Sequence, residues 1–314
     1  MTTILHVGDL HYWAYAKNPM LYLGKRGLGS ANLFLKRSKA FRIELTSVLA
    51  NRLHAESANA QHLLFSGDFS TTSLPKEFTL AAEAFSPLLK NTFRAHAVPG
   101  NHDRYTARDL LNSNFEKHLL AKLCPMQKPF PFIEHLSPEV ACAGFDATTR
   151  NGIGSFGFLK PDDLVALQNW WSENGRTIKQ LIVLCHFPPE APAALLKHNR
   201  GQQLRNGEAL LGLLKELNIP VLFCQGHYHQ RWLWRSELAE NVVYLNAGAP
   251  LMRSGMENPD LGFFRFNATP QIERVTLVRC TDLSEQETTW CEHNFTLPPS
   301  GPGIDLRAKV LRMP

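Results

Sequence analysis

The sequence predicts an α/β layered domain, and three observations lead there. Short apolar runs recur along the chain. Stretches with apolar residues at three- and four-residue spacing lie between them. Hydrophobic residues make up 44% of the 314 positions and charged residues 19%, enough to bury a sizeable core and too apolar for wholesale disorder. Strands alternating with helices build a layered α/β fold, and at roughly 150 residues per domain the chain holds one large domain or two small ones.

Taken in order, Ile4–Val7, His62–Phe65, Ala95–Val98, Leu181–Leu184 and Val221–Cys224 read as strands covered on both faces. Phe41, Leu45, Val48, Leu49 and Leu53 recur at helical spacing, and Glu77 to Lys90 and Glu208 to Leu217 behave likewise. Pro161 followed by Asp162 and Asp163 is a helix start, with proline in the first turn and acids at the positive end of the dipole. After Tyr228, Val242–Leu245, Gly262–Phe266 and Arg274–Val278 read as successive strands. From Thr296 the run Leu-Pro-Pro-Ser-Gly-Pro-Gly reads as an extended tail. No apolar run approaches the ~18 residues of a transmembrane helix. Met1 to Asp9 lacks a basic start and a long apolar run, so it reads as a strand and not a signal peptide. Six cysteines without C-x-x-C spacing argue against a zinc knuckle or disulfide framework, and a reducing cytoplasm is the expected compartment.

Charge is uneven. The net charge is +5, yet Lys17, Lys25, Arg26, Lys36, Arg37, Lys39 and Arg42 fall between Leu10 and Ile43 with no acid among them, leaving the rest at about −2. The same segment carries Tyr12, Trp13, Tyr15, Tyr22, Phe34 and Phe41. It reads either as a solvated insertion or as a flap over residues 12–42 that meets an anionic substrate or an anionic membrane surface. One basic stretch falls short of the broad positive face of a nuclease, so nucleic acid is not the expected partner.

Five strand exits carry Asp, His or Asn: Gly8-Asp9-Leu10-His11, Ser66-Gly67-Asp68, Pro99-Gly100-Asn101-His102-Asp103, Cys185-His186-Phe187-Pro188 and Gly226-His227-Tyr228-His229. Sites in open α/β sheets assemble at these carboxyl ends, and the glycines are expected to turn the backbone sharply there. Each motif alone is a turn or a buried histidine; their order and joint occurrence point to one site. His6, His54, His62, His96, His118, His135, His198 and His293 fit no such pattern and read as structural or surface residues. Carboxylate, imidazole and amide donors without thiolate suit Mn, Fe or Zn. Seven such ligands exceed what one catalytic ion with an open position needs. They fit two ions sharing a bridging carboxylate, roughly 3.5–4 Å apart, as an in-line phosphoryl displacement requires.

This set of motifs, from Asp9 to about Gly248, resembles the calcineurin-like metallophosphoesterase family. The resemblance implies a four-layer sandwich of two mixed β-sheets flanked by helices, with a catalytic domain over 1–280 and a C-terminal extension over 281–314. It implies Asp9, His11 and His229 as ligands of one divalent or trivalent metal ion and Asn101, His186 and His227 as ligands of a second. Asp68 would bridge them, His102 would be the catalytic histidine and Asp103 its orienting acid. Gly8 stands where the family often has Ser, and Cys185 where it often has a second His; neither is a metal ligand. The implied reaction is attack on phosphorus by a hydroxide lying between the metals, with His102 protonating the leaving oxygen. An intact His102 favours a small phosphodiester substrate, cyclic nucleotides among them. The basic aromatic segment favours instead a nucleotide–lipid-sugar diphosphate, with the flap touching the inner membrane. A non-catalytic scaffold of the same fold would have lost ligands, and none is missing. The sequence is silent on oligomeric state.

Overall fold

Side chains along each central strand of the computed structural model alternate between two apolar layers, and this makes the protein four layers deep. Described are residues 2–16, 18–22, 26–27, 38–89, 93–149, 155–196, 201–253, 260–283, 288–297 and 304–306. Lys17, Lys25, Phe34, Lys36 and Arg37 of the basic segment, and most of the tail after Leu297, lie outside the described residues. In chain order the main elements are β1 (Thr2–Val7), α1 (Thr46–Ser57), β2 (His62–Phe65), α2 (Pro75–Phe85), β3 (Arg94–Ala97), α3 (Ala107–Asn112), β4 (Phe132–Ser137) and β5 (Val140–Phe145). Then follow α4 (Pro161–Asn174), β6 (Gln180–Cys185), α5 (Gly207–Glu216), β7 (Val221–Gln225), β8 (Arg231–Arg235), β9 (Val242–Ala247), β10 (Gly262–Ala268), β11 (Arg274–Leu283), β12 (Thr288–Thr296) and β13 (Ile304–Asp305).

Two mixed sheets result. The first runs β12-β11-β10-β1-β2-β3, the second β13-β8-β9-β7-β6-β5-β4. In the first, β1, β2 and β3 are parallel, and β10 joins β1 antiparallel. In the second, β5, β6, β7 and β9 are parallel, with antiparallel β4 and β8 beside them.

Alternation explains the layers. Leu5, Val7, Leu63 and Phe65 pack against Leu49 and Leu53 of α1 and Phe78 and Phe85 of α2. Ile4 and Leu64 point the other way and meet Ile182, Leu184, Leu222 and Leu245 between the sheets. Val183, Phe223 and Tyr244 face outward against Leu167 of α4 and Leu210 and Leu214 of α5. Strands apolar on both faces are why the sequence reads as continuous runs. The four-layer sandwich expected from the motifs is what the chain adopts.

The boundary expected after residue 280 falls inside β11, and the segment beyond it is built into both sheets. β12 pairs with β11 from Thr288 to Thr296, and Ile304 and Asp305 pair with Leu233 and Trp232. The run Thr-Thr-Trp-Cys-Glu-His-Asn-Phe-Thr is rich in β-branched and aromatic residues, which favour a pleated edge strand. No described helix is long and apolar enough to cross a membrane. The carboxyl ends of β1, β2 and β3 and those of β6 and β7 open on one edge of the sandwich, and the site is built there.

Candidate metal centre

Asp9 and His11 follow β1, Asp68 follows β2, Asn101 and His102 follow β3, His186 follows β6, and His227 and His229 follow β7. All converge. His11 Nε2 lies 2.9 Å from His229 Nε2 and 3.5 Å from Asp68 Oδ2. His229 Nε2 lies 3.7 Å from Asp9 Oδ2. On the other side of Asp68, His186 Nε2 is 3.4 Å from Asp68 Oδ2, 3.3 Å from Asn101 Oδ1 and 3.2 Å from His227 Nδ1. Asp9, His11 and His229 form one cluster with ligand atoms within 4.8 Å of one another; Asp9, Asp68 and His186 form another. Asp68 sits between the halves, where a bridging carboxylate is expected.

The backbone is held in an uncommon conformation at four of these residues. His11, Asp68, His227 and His229 have φ of 49°, 53°, 74° and 56°, in the left-handed region. Such strain costs of order 1–3 kcal/mol per residue and persists where the surroundings over-determine it. Among the exit glycines only Gly67, at φ 102°, uses glycine's freedom of turn. Gly100 and Gly226 serve by close approach: a Cβ on Gly100 would fall on Asp68 Oδ1, and one on Gly226 on Asp9 Oδ1. The sharp turn expected at Gly8, Gly100 and Gly226 is in fact room for a neighbour.

His102 donates its backbone N–H to Asp68 Oδ1 at 2.9 Å, and its Nδ1 lies 2.8 Å from the Thr71 carbonyl oxygen. Where the sequence assigns Asp103 to orient His102, the structure gives Asp103 other partners. Its carboxylate accepts from the amides of Phe69, Ser70 and Gly100 and from the Ser70 hydroxyl. Asp103 ties the β2 and β3 exit loops together, and the Thr71 carbonyl fixes the His102 ring.

Two contributors, Phe41 and Tyr105, carried no motif, while Asn246 belongs to the Asn246-Ala-Gly248 turn expected after the last one. The Phe41 ring packs 4.5 Å from the ring of His11 and 6.1 Å from that of His229. Its backbone reaches the site because Arg42 bonds to Leu251 and Arg253 to Ala40. Tyr105 stacks on His102 at 5.5 Å and 17°. Asn246 donates to the Gly226 carbonyl and accepts from the Gly248 amide, bracing the loop of His227. The sequence reads Phe41 as the first apolar position of a helix, but the helix starts at Thr46 and Phe41 instead forms an isolated bridge with Met252. Arg26, expected to meet an anion, is buried, paired with Asp109 and bonded to the Thr72 carbonyl.

The electrostatics fit a pair of cations. Burial, then repulsion from Asp68, raises the Asp9 carboxyl well above the usual carboxylate range, while His186 pulls the other way. Burial also opposes ionisation of Asp68, but His186, His102 and His11 hold it well below that range. Burial would strip His186 of its proton, yet Asp68 and Asp9 push it up to about 9. Burial and His186 drive His227 well down, and its Nε2 is buried with no hydrogen-bond partner among the described residues. Facing imidazole nitrogens and buried carboxylates are the donor set that positive ions satisfy.

A family model described as calcineurin-like phosphoesterase matches residues 2–231. The fold is similar to that of a dimetal phosphatase from Danio rerio, with TM-score 0.59 and 13% identity, covering 94% of this chain and 98% of the other. It is also similar to a purple acid phosphatase from yellow lupin (Lupinus luteus) seeds, with TM-score 0.54 and 12% identity, covering 94% of this chain and 53% of the other. A further match is to cyclin-dependent kinase 8 of Caenorhabditis briggsae, 24% identical over 144 residues, 45% of this chain. The chain spans about a quarter (23%) of the length of that relative, and neither the H-R-D nor the D-F-G sequence of protein kinases occurs in it.

Proposed function

Because this chain belongs to the calcineurin-like phosphoesterase family and is a metal-dependent phosphoesterase, we propose that it hydrolyses phosphodiester bonds. The observation that carries this reading is the placement of His102. Its backbone is fixed to Asp68 and its Nδ1 to Thr71, and one of its ring nitrogens lies within 4.8 Å of ligand atoms of His11 and Asp68. With Nδ1–H given to a carbonyl, Nε2 is the nitrogen that carries a proton to and from substrate. An unactivated diester needs such help for its leaving alkoxide more than an activated monoester does.

Asp9, His11 and His229 would hold one cation and Asn101, His186 and His227 the other, with Asp68 between; when bound, Mn, Fe or Zn ions would supply Lewis acidity and an acidified water. Protonated His102 offsets the negative charge developing on the phosphoryl oxygens and then gives its proton to the departing oxygen, becoming neutral. Phe41 packs its ring against those of His11 and His229. Cyclic nucleotides are the first substrates to test. The reading places the protein in the cytoplasm.

A second reading, a nucleotide–lipid-sugar diphosphate taken at an anionic membrane surface, is supported by Tyr15 and Met20, 46% and 67% exposed on the segment that ends at Phe41. The Mn-loaded protein separates them. Turnover of a bis-aryl phosphate and of cyclic nucleotides above that of aryl monoesters is expected. Preference for monoesters would overturn the diesterase reading, and hydrolysis confined to diphosphates in anionic vesicles would favour the second.

A further inference from the structure

Tyr228 stands between two site histidines, and its ring lies 5.6 Å from that of His227. It is buried in the layer between the second sheet and its helices. Its hydroxyl has no hydrogen-bond partner among the described residues. The same holds for Trp234 Nε1 and both amide atoms of the Gln225 side chain.

Strand register explains why these groups meet. Phe223 pairs with Tyr244 and Gln225 with Asn246 across β7 and β9, so Gln225 and Tyr244 share the helix-facing side with Phe223. Trp234 pairs with Tyr244 across β8 and β9, and the two rings stack at 4.9 Å. The Tyr244 hydroxyl is hydrogen-bonded to the Ser236 side chain and needs no further partner. The Tyr228 phenol offers one donor as well as acceptors.

A buried polar atom left unsatisfied costs about 1–3 kcal/mol. Four such atoms, on Gln225, Tyr228 and Trp234, call for partners that the protein groups around them do not supply. Their chemistry is mixed: the indole only donates, the amide donates and accepts, the hydroxyl does both. Groups of mixed polarity without direct bonds to one another are satisfied by internal water, which typically makes about three hydrogen bonds.

We propose that Gln225, Tyr228 and Trp234 hold a small cluster of internal waters behind the Gly226–His229 loop, and that this cluster anchors Tyr228 and so positions His227 and His229. The φ values of 74° and 56° at those histidines need such an anchor. None of the three residues is a metal ligand; theirs is a positioning role. The second half of the proposal rests on the metal-centre reading, the first half does not.

A high-resolution crystal structure of the metal-free protein tests the first half. Ordered waters bonded to the Tyr228 hydroxyl and the Gln225 amide are expected, and a dry space there overturns the site. Calorimetric titration with Mn2+ of wild type, Tyr228→Phe and Gln225→Leu tests the second. The weaker of two Mn2+ affinities should fall roughly tenfold in each variant, the scale of losses behind ligands. If Tyr228→Phe fails to fold, Gln225→Leu is read alone. Unchanged affinity in the folded variants overturns the anchoring role. Wild-type protein that takes no Mn2+ overturns the metal-centre reading, while the crystal structure still decides the water site.

Discussion

The Thr71 carbonyl oxygen lies 2.8 Å from Nδ1 of His102. Thr71 is itself fixed, its amide bonded to the Tyr12 carbonyl and its hydroxyl to the His11 carbonyl. The proton inventory of His102 is therefore set by backbone from the β2 exit, and the imidazole faces the site in one tautomer. His102→Ala should leave metal content unchanged while turnover of an unactivated diester falls roughly 10²–10⁴-fold. Metal analysis beside steady-state kinetics checks this. Full turnover in the variant would remove His102 from the reaction.

Asp103 behaves differently. Its carboxylate takes three backbone amides and one hydroxyl, so its loss leaves buried donors unpaired. Burial and then Asp68 push the Asp103 carboxyl up to about 7, so Asp103→Ala should lower unfolding free energy by about 1–3 kcal/mol, the cost of leaving buried donors unpaired. Denaturant unfolding of the metal-free protein measures it. A stability equal to wild type would mean the loops hold without this carboxylate.

Gly226→Ala places a methyl group on Asp9 Oδ1. Overpacking of this kind costs about 1–3 kcal/mol, and here it also displaces a ligand. Metal bound per chain should drop below wild type, with activity falling in step. Gly212→Ala, where a Cβ meets open space on α5, serves as the control and should change neither.

Three histidines outside the site lie where protons are unwelcome. Burial pulls His6 down to about 3, His96 to about 3 and His62 to about 4, from ordinary values near 6.5. Between about pH 6.5 and 4 the unfolded chain binds more protons than the native one, so stability present above pH 6.5 is lost as the pH falls. Each buried histidine contributes roughly a tenfold loss of the folded-to-unfolded ratio per pH unit. Urea unfolding at pH 7 and pH 5 should show a shallower pH dependence for His6→Leu. An identical slope would mean His6 is protonated or solvated in the native state.

Much of this was legible in the sequence because the central strands are apolar on both faces. Ile4–Val7 and Val221–Cys224 stand out for that reason. β5, Val-Ala-Cys-Ala-Gly-Phe, did not: its small residues carry little apolar signal, and Gly144 is there because the Phe132 ring lies against it. β8, Arg-Trp-Leu-Trp-Arg, hides its inward residues behind charged ends. The seven proposed ligands were legible because each follows a strand. Thr71 was not, since it acts through a carbonyl every residue has. Phe41 was not, since its contact with His11 spans thirty positions and depends on bonds to Leu251 and Ala40.

The central claim is that Asp68 lies between two cations held by Asp9, His11, Asn101, His186, His227 and His229. Anomalous diffraction from crystals of the Mn-loaded protein tests it most directly. Two peaks are expected, roughly 3.5–4 Å apart, with a carboxylate oxygen of Asp68 bonded to both. A single peak, or peaks away from Asp68, would contradict it.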